Sequence, residues 1–154
     1  DGFNMNYNYN MNKILILLFS LLLSFNSYGD WTKIIKKDGQ TFFIYFDNFK
    51  KKDDSIYWWL MSSDSEDSMQ SYILSDCDMN RIKPIQAFNY TEPLGKGKSS
   101  VDNLDDESWI FLAPETVPNA LNSIACQYAA LSSDDQEAYV KDLIIELRKL
   151  MIDY

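Results

Sequence analysis

The sequence predicts an α+β fold. Its elements are a six-stranded antiparallel β-sheet, a disulfide-tethered helix packed on one face, and an additional C-terminal amphipathic helix. Three observations predict it. Short β-branched and aromatic runs separated by polar turns fill the chain from Trp31 to Leu112. Helical spacing of apolar residues replaces them after Pro114. One cysteine, Cys77, lies in the strand-rich part and the other, Cys126, in the helical part. Strands first and helices last is the order of an antiparallel sheet with helix on one face, not of a parallel doubly wound sheet.

The segment before the first strand reads as a leader. Met11-Asn12-Lys13 is a short positive stretch, and Ile14 to Phe25 is apolar apart from Ser20 and Ser24. Ser27-Tyr28-Gly29 sets small residues where a signal peptidase reads them. The apolar run is shorter than the roughly 20 residues that span a bilayer. Residues 11–29 are therefore expected to be a signal peptide cleaved after Gly29, with export to a bacterial periplasm or beyond the cell. Residues 1–10 are Asn/Tyr-rich and read as upstream sequence. No cysteine stands near the cleavage site, so no lipid anchor is expected.

Residues 30–154 are one domain's worth of chain, a core domain over 30–130 and a helical extension over 131–154. The balance of 14 Lys+Arg against 23 Asp+Glu gives a net charge of −9, and losing Asp1 and Lys13 with the leader leaves it unchanged. Such a chain does not favour nucleic acid, which asks for a basic surface. There is no histidine, which removes the usual nucleophile–base pairs and histidine zinc sites. No cofactor or metal is expected. An isolated cysteine pair in an oxidising compartment reads as one disulfide, Cys77–Cys126. Closing a loop of about 50 residues stabilises the fold by about 4 kcal/mol on the chain-entropy account.

The elements follow in order. Trp31–Ile35 is a first strand, ended by the turn Lys37-Asp38-Gly39. Thr41–Phe46 (TFFIYF) is a second, by β-branched and aromatic density. Asp47–Asp54 reads as a polar turn, Ser55–Met61 as a third strand, and Ser62–Ser68 as an acidic loop. Met69–Cys77 and Arg81–Tyr90 are further strands joined by Asp78-Met79-Asn80. Pro84 removes a backbone donor, so it predicts an edge or a bulge there. Thr91–Asp106 reads as a long loop and Glu107–Leu112 as the sixth strand. Thr116 is the expected N-cap of a helix with Pro118 in its first turn. Val117, Leu121, Ile124, Ala125 and Tyr128 form that helix's apolar stripe, with Cys126 on the flank. Ser133 opens the last helix, where Asp134, Asp135 and Glu137 suit the dipole. Val140, Leu143, Leu147, Leu150 and Tyr154 line its apolar side.

Both alternating faces of the central strands are apolar. Phe42, Ile44 and Phe46 oppose Phe43 and Tyr45; Ile56, Trp58 and Leu60 oppose Tyr57, Trp59 and Met61. A sheet open to water on one side should be polar there, so either the last helix or a partner is expected to cover the second face. Lys50, Lys51 and Lys52 make a basic spot on an acidic protein. With Tyr57 and Trp59 they are the candidate partner contact.

Apparent chemical motifs fail on inspection. Gly95-Lys96-Gly97-Lys98-Ser99 resembles the end of a phosphate loop, but Glu92 stands where the first glycine is required. Asp76 to Asn80 mimics the start of a calcium loop, but Arg81 and Ala87 occupy the positions of its glycine and glutamate. Asp64, Glu66 and Asp67 read as a solvated loop.

At this point the residues resemble a family, the bacterial surface-adhesin protein E domain. The match runs from Asp30-Trp31-Thr32-Lys33-Ile34 through Phe42–Phe46 with Asp47, then Ser71-Tyr72 and Asp76-Cys77 with Arg81. It continues through Tyr90-x-x-Pro93-x-Gly95-x-Gly97 and Trp109 ahead of a proline, and closes on Leu121-Asn122-x-x-x-Cys126. The resemblance implies a six-stranded antiparallel sheet with a helix tethered by a disulfide. It also implies the role of a dimeric outer-membrane adhesin for host matrix and plasma proteins. Two features depart from it: the missing lipobox cysteine, and the helix from Ser133 to Tyr154, which lies beyond the match. The resulting expectation is an exported, non-enzymatic envelope domain that binds a protein partner, a second copy among the candidates. The alternative is a periplasmic small-ligand carrier or enzyme using a groove between sheet and helix.

Overall fold

The computed structural model describes residues 31–104 and 108–152, with side chains as far as Lys149. The leader and the upstream segment lie outside the described residues, as do Glu107, Tyr154 and the side chain of Leu150. The strands are β1 (Trp31–Lys37), β2 (Gln40–Lys52), β3 (Ser55–Ser63), β4 (Ser68–Asp76), β5 (Arg81–Glu92), β6 (Lys96–Asn103) and β7 (Ile110–Phe111). Two helices follow, α1 (Val117–Ala130) and α2 (Ser133–Ile152). The first six strands pair in sequence order as an antiparallel meander, and β7 pairs with β5. The expected fold class is the observed one.

Turn chemistry sets the meander. Asp38 (φ 52°) and Gly39 (φ 84°) are both left-handed, as a two-residue hairpin turn between twisted strands requires. The expected turn Asp47–Asp54 is much shorter. β2 continues to Lys52, and the chain reverses at Asp53-Asp54. The register jumps from Tyr45↔Trp59 to Lys50↔Tyr57, so Asp47-Asn48-Phe49 forms a bulge within a strand. The bulge swings Phe49 inward, where its ring stacks on Phe46 (5.8 Å) and Trp58 (6.2 Å). Pro84 behaves as its missing donor demands. The register slips beside it, between Tyr72↔Gln86 and Ile73↔Pro84, and it falls in the gap between the β5 residues paired to β7 and those paired to β6.

The sixth long strand is Lys96–Asn103, not Glu107–Leu112. The expected long loop therefore contains a strand, and the later segment contributes only the two residues of β7. Every residue of β6 is exposed, so no apolar alternation marks it. Backbone pairing to β5, from Gln86↔Asn103 to Glu92↔Lys96, defines it instead.

The core lies on one face of the sheet. Ile34, Ile44, Phe46, Ile56, Trp58 and Ile73 meet Leu121, Ala125 and Tyr128 of α1. Trp58 is 1 % exposed, and its indole N–H donates to the Ser75 hydroxyl at 2.8 Å, which satisfies the one polar atom so much burial would otherwise strand. Thr116 caps α1 by accepting from the Asn119 N–H. The Cys77–Cys126 disulfide joins the end of β4 to α1, with Cα atoms 5.8 Å apart. Beside it Asn122, 2 % exposed, donates to the Asn80 side chain at 3.3 Å, and Asn80 in turn donates to Asn119 and to the Leu112 carbonyl. Tyr139, Val140, Leu143 and Leu147 of α2 pack on the rim of the same core. Both helices therefore share one side, and α2 does not cover the other.

Candidate functional site

The strand registers define the helix-free face as rows running across the sheet. One row is Trp31–Tyr45–Trp59–Tyr72–Gln86–Asn103. The next is Lys33–Phe43–Met61–Gln70–Phe88–Val101. On the other side of the first row lies Lys50–Tyr57–Leu74–Lys83. The aromatic rings support one another. Trp59 stacks on Tyr72 at 4.8 Å, Tyr72 lies 5.9 Å from Tyr57, Trp59 lies 5.7 Å from Phe88, and Trp31 lies 5.5 Å from Tyr45. Cross-strand aromatic pairs of this kind hold rings upright and in place. The rings are only half-buried, so they present a continuous, rigid apolar surface. Burial, with the neighbouring Tyr57 second, raises the Tyr72 hydroxyl above the ordinary tyrosine value, so the face carries a neutral phenol at physiological pH.

Each end of this face is fixed. At one end Pro93-Leu94-Gly95 folds back over β3 and β4. The Ser63 hydroxyl accepts the Leu94 N–H, and the Ser68 hydroxyl accepts the Gly95 N–H while donating to the Glu92 carbonyl. Gly95 (φ 71°) lies so close that an added Cβ would stand 2.6 Å from the Gln70 amide nitrogen. At the other end Asp76 Oδ2 accepts from Arg81 Nη2 at 2.8 Å and from Arg81 Nε at 2.9 Å. The Arg81 guanidinium sits 4.4 Å from the centre of the Trp109 ring, a cation–π contact that anchors this tryptophan. The Met79 N–H first, and Arg81 second, lower the Asp76 carboxyl below its ordinary value.

The charge on this face opposes that of the molecule. Lys33, Lys36, Lys50, Lys52, Lys83, Arg81 and Lys96 occupy its register positions, against the carboxylates Asp76 and Glu92, on a chain of net charge −9. Of the residues singled out by sequence, Tyr57, Trp59, Lys50 and Lys52 come together here. Lys51 pairs with Ile56 and belongs to the helix side. Sequence reasoning named only part of the surface. Tyr72, Phe88 and Lys83 were missed because their membership depends on register across β4 and β5. The acidic loop is self-contained: Asp64 Oδ1 accepts the N–H groups of Glu66 and Asp67. Among the described residues no group of three or more acidic or cysteine side chains is arranged to hold a metal.

A second concavity lies between sheet and helix. Trp31, Phe46 and Tyr128 on one wall and Val140, Ile144 and Leu147 on the other enclose a groove of about 700 Å³. The Tyr128 hydroxyl donates to the Phe46 carbonyl at 3.2 Å. No helix among the described residues is long and apolar enough to cross a membrane.

The fold and the open face define a class: a disulfide-tied α+β domain that packs helices on one side of its sheet and presents an aromatic, cationic surface on the other. The chain belongs to the surface-adhesin protein E family, whose sequence model matches residues 31–127. That span starts at β1 and ends one residue beyond the disulfide, so α2 lies beyond the matched span. The fold is similar to that of protein E from non-typeable Haemophilus influenzae, with a TM-score of 0.52 and 15 % identity over 82 % of this chain and 92 % of that one. A second crystal form of Haemophilus influenzae protein E aligns with a TM-score of 0.51 and 13 % identity over 65 % of this chain and 88 % of that one. No curated protein sequence matches the chain.

Proposed function

We propose that this is an exported, non-enzymatic binding domain of the bacterial envelope, periplasmic or secreted, whose helix-free sheet face docks a partner protein. The observation that carries the reading is the pair of adjacent rows containing Trp31, Tyr45, Trp59, Tyr72, Phe43 and Phe88, rigid and half-open to solvent. Exposed aromatic clusters are rare on monomers without a purpose. Tryptophan and tyrosine ringed by polar residues is the composition of binding hot spots. Membership in an adhesin family supports attachment as the use of this surface. Absence of histidine from the chain and the structural employment of Arg81, Asp76, Ser63 and Ser68 support a non-enzymatic reading.

Charge favours an acidic partner over a second copy joined face to face. Two copies so joined would set lysine against lysine, which costs affinity. A partner with an apolar patch flanked by carboxylates meets both the aromatic rows and the lysines beside them.

The test is solid-phase binding of the exported protein to matrix proteins, plasma proteins and isolated envelope proteins. Replacing Tyr57 and Trp59 together by threonine, which keeps β propensity, is expected to weaken binding more than tenfold. Saturable binding that survives this change places the contact elsewhere, and no binding to any of the three sets overturns the adhesin reading. N-terminal sequencing of the exported chain is expected to begin at Asp30.

A further inference from the structure

The groove between α2 and the start of the sheet lies at the β1 edge, where it shares Trp31 and Lys33 with the aromatic face. α2 is only half-seated: none of its described side chains is fully buried, although Val140, Leu143 and Leu147 touch the core. Its inner stripe therefore keeps apolar surface that the sheet does not cover. Val140, Ile144 and Leu147 look across to Trp31 and Phe46 over a space of about 700 Å³, inside the size range of small-molecule sites, about 300–1,000 Å³. The helix face that lines the groove runs from Ser133 to Arg148, about 22 Å at the rise of an α-helix. The space is thus long.

Cations mark its rim. Lys33 enters from β1, and Lys141 and Arg148 from α2. Lys141 is held by Glu137 at 2.6 Å. Lys33 and Arg148 form no ion pair among the described residues, while Asp47 is the other carboxylate of the lining. On a protein of net charge −9 these cations select for a negative head beside an apolar body.

We propose that this groove binds a single-chain anionic amphiphile, its acyl chain along Val140, Ile144 and Leu147 and its charged head at Lys33 and Arg148. A fatty acid and an anionic lysophospholipid share this chemistry. The site gives the protein a ligand function beside the partner-binding face, with which it shares Trp31 and Lys33.

Calorimetric titration of the exported protein tests it, with decanoate, dodecanoate and palmitate as one arm and lysophosphatidylglycerol as the other. Saturable binding below the micellar concentration is expected. Affinity should rise with chain length by up to about fourfold per methylene seated. Tighter binding of one arm identifies the head group. Dodecanol and dodecyltrimethylammonium should bind at least tenfold more weakly than dodecanoate. The exposed pair Lys33→Glu and Arg148→Glu should lose at least tenfold in dodecanoate affinity with an unchanged melting temperature. Val140→Asp should abolish binding, and Val140→Ala, which is gentler on folding, should weaken it. Absence of saturable binding, equal binding of the ammonium amphiphile, or full binding by the charge-reversed pair overturns the proposal.

Discussion

Trp58 and Trp59 are neighbours in β3 and point to opposite faces of one sheet. Trp58 is 1 % exposed, with its indole N–H bonded to Ser75 and its ring against Phe49. Trp59 stands among Tyr72 and Phe88, half-open to water. Their strands supply nearly the same residue types to both sides. What separates the faces is the far end of the chain: α1, drawn against Ile44, Ile56 and Trp58 and tied there by Cys126, makes one side a core. The same aromatic content without a helix is a surface. Aromatic density thus marks where apolar area is concentrated, and topology decides whether it serves stability or recognition.

The sharpest way to break this contrast is to truncate the two tryptophans separately. Trp58→Ala is expected to cost about 3–5 kcal/mol, because it leaves a cavity and strands the Ser75 hydroxyl. Trp59→Ala should cost about 1 kcal/mol, the scale of a cross-strand pair. Urea unfolding measures both, and equal losses would mean that the two faces are equally packed.

Removing the tie comes next. Cys77→Ser with Cys126→Ser should cost about 4 kcal/mol or somewhat less on the chain-entropy account, read as a fall in the urea midpoint. Non-reducing mass analysis of the parent should show no free thiol.

A smaller loss is expected at the start of β6, just past the turn that closes the aromatic face. Gly97 adopts φ 78°, and an added Cβ would meet the Thr91 hydroxyl at 2.5 Å. Gly97→Ala should destabilise by about 1–2 kcal/mol, with the melting temperature as the readout. The smallest effect is pH-dependent. The Asp76 carboxyl is lowered by the Met79 N–H and by Arg81. A depressed acid adds stability that is complete above its unfolded value of about 3.9 and is lost as pH falls through the lower folded value. Asp76→Asn should therefore flatten the decline of the urea midpoint below about pH 4, and an unchanged acid limb would count against the Asp76–Arg81 tie.

Much of this architecture is legible in the residues, for reasons that also mark where legibility stops. TFFIYF and SIYWWLM announce strands because alternation and β-branching record burial directly. Thr116 and Pro118 announce a helix start because capping is local. β6 is silent, since an edge strand exposed at every position has no apolar pattern to show. Phe49 hides inside a polar run, because a bulge and not the alternation turns it inward. Asn80 and Asn122 look like ordinary polar residues until the fold joins the β4–β5 turn to α1. Of the candidate site, Tyr57 and Trp59 could be placed on one face from β3 alone. Tyr72, Phe88 and Lys83 require the registers of β4 and β5, which no single segment encodes. The doubled apolar faces were the one signal that a surface awaited explanation, and the helices' choice of a single side answers half of it.

The most direct test of the account combines binding and stability in one variant. Tyr57→Thr with Trp59→Thr is predicted to weaken solid-phase binding to the protein partner more than tenfold while retaining a cooperative melt that lies only several degrees below the parent's. Binding equal to the parent's, with that melt preserved, would contradict the assignment of the helix-free face as the docking surface.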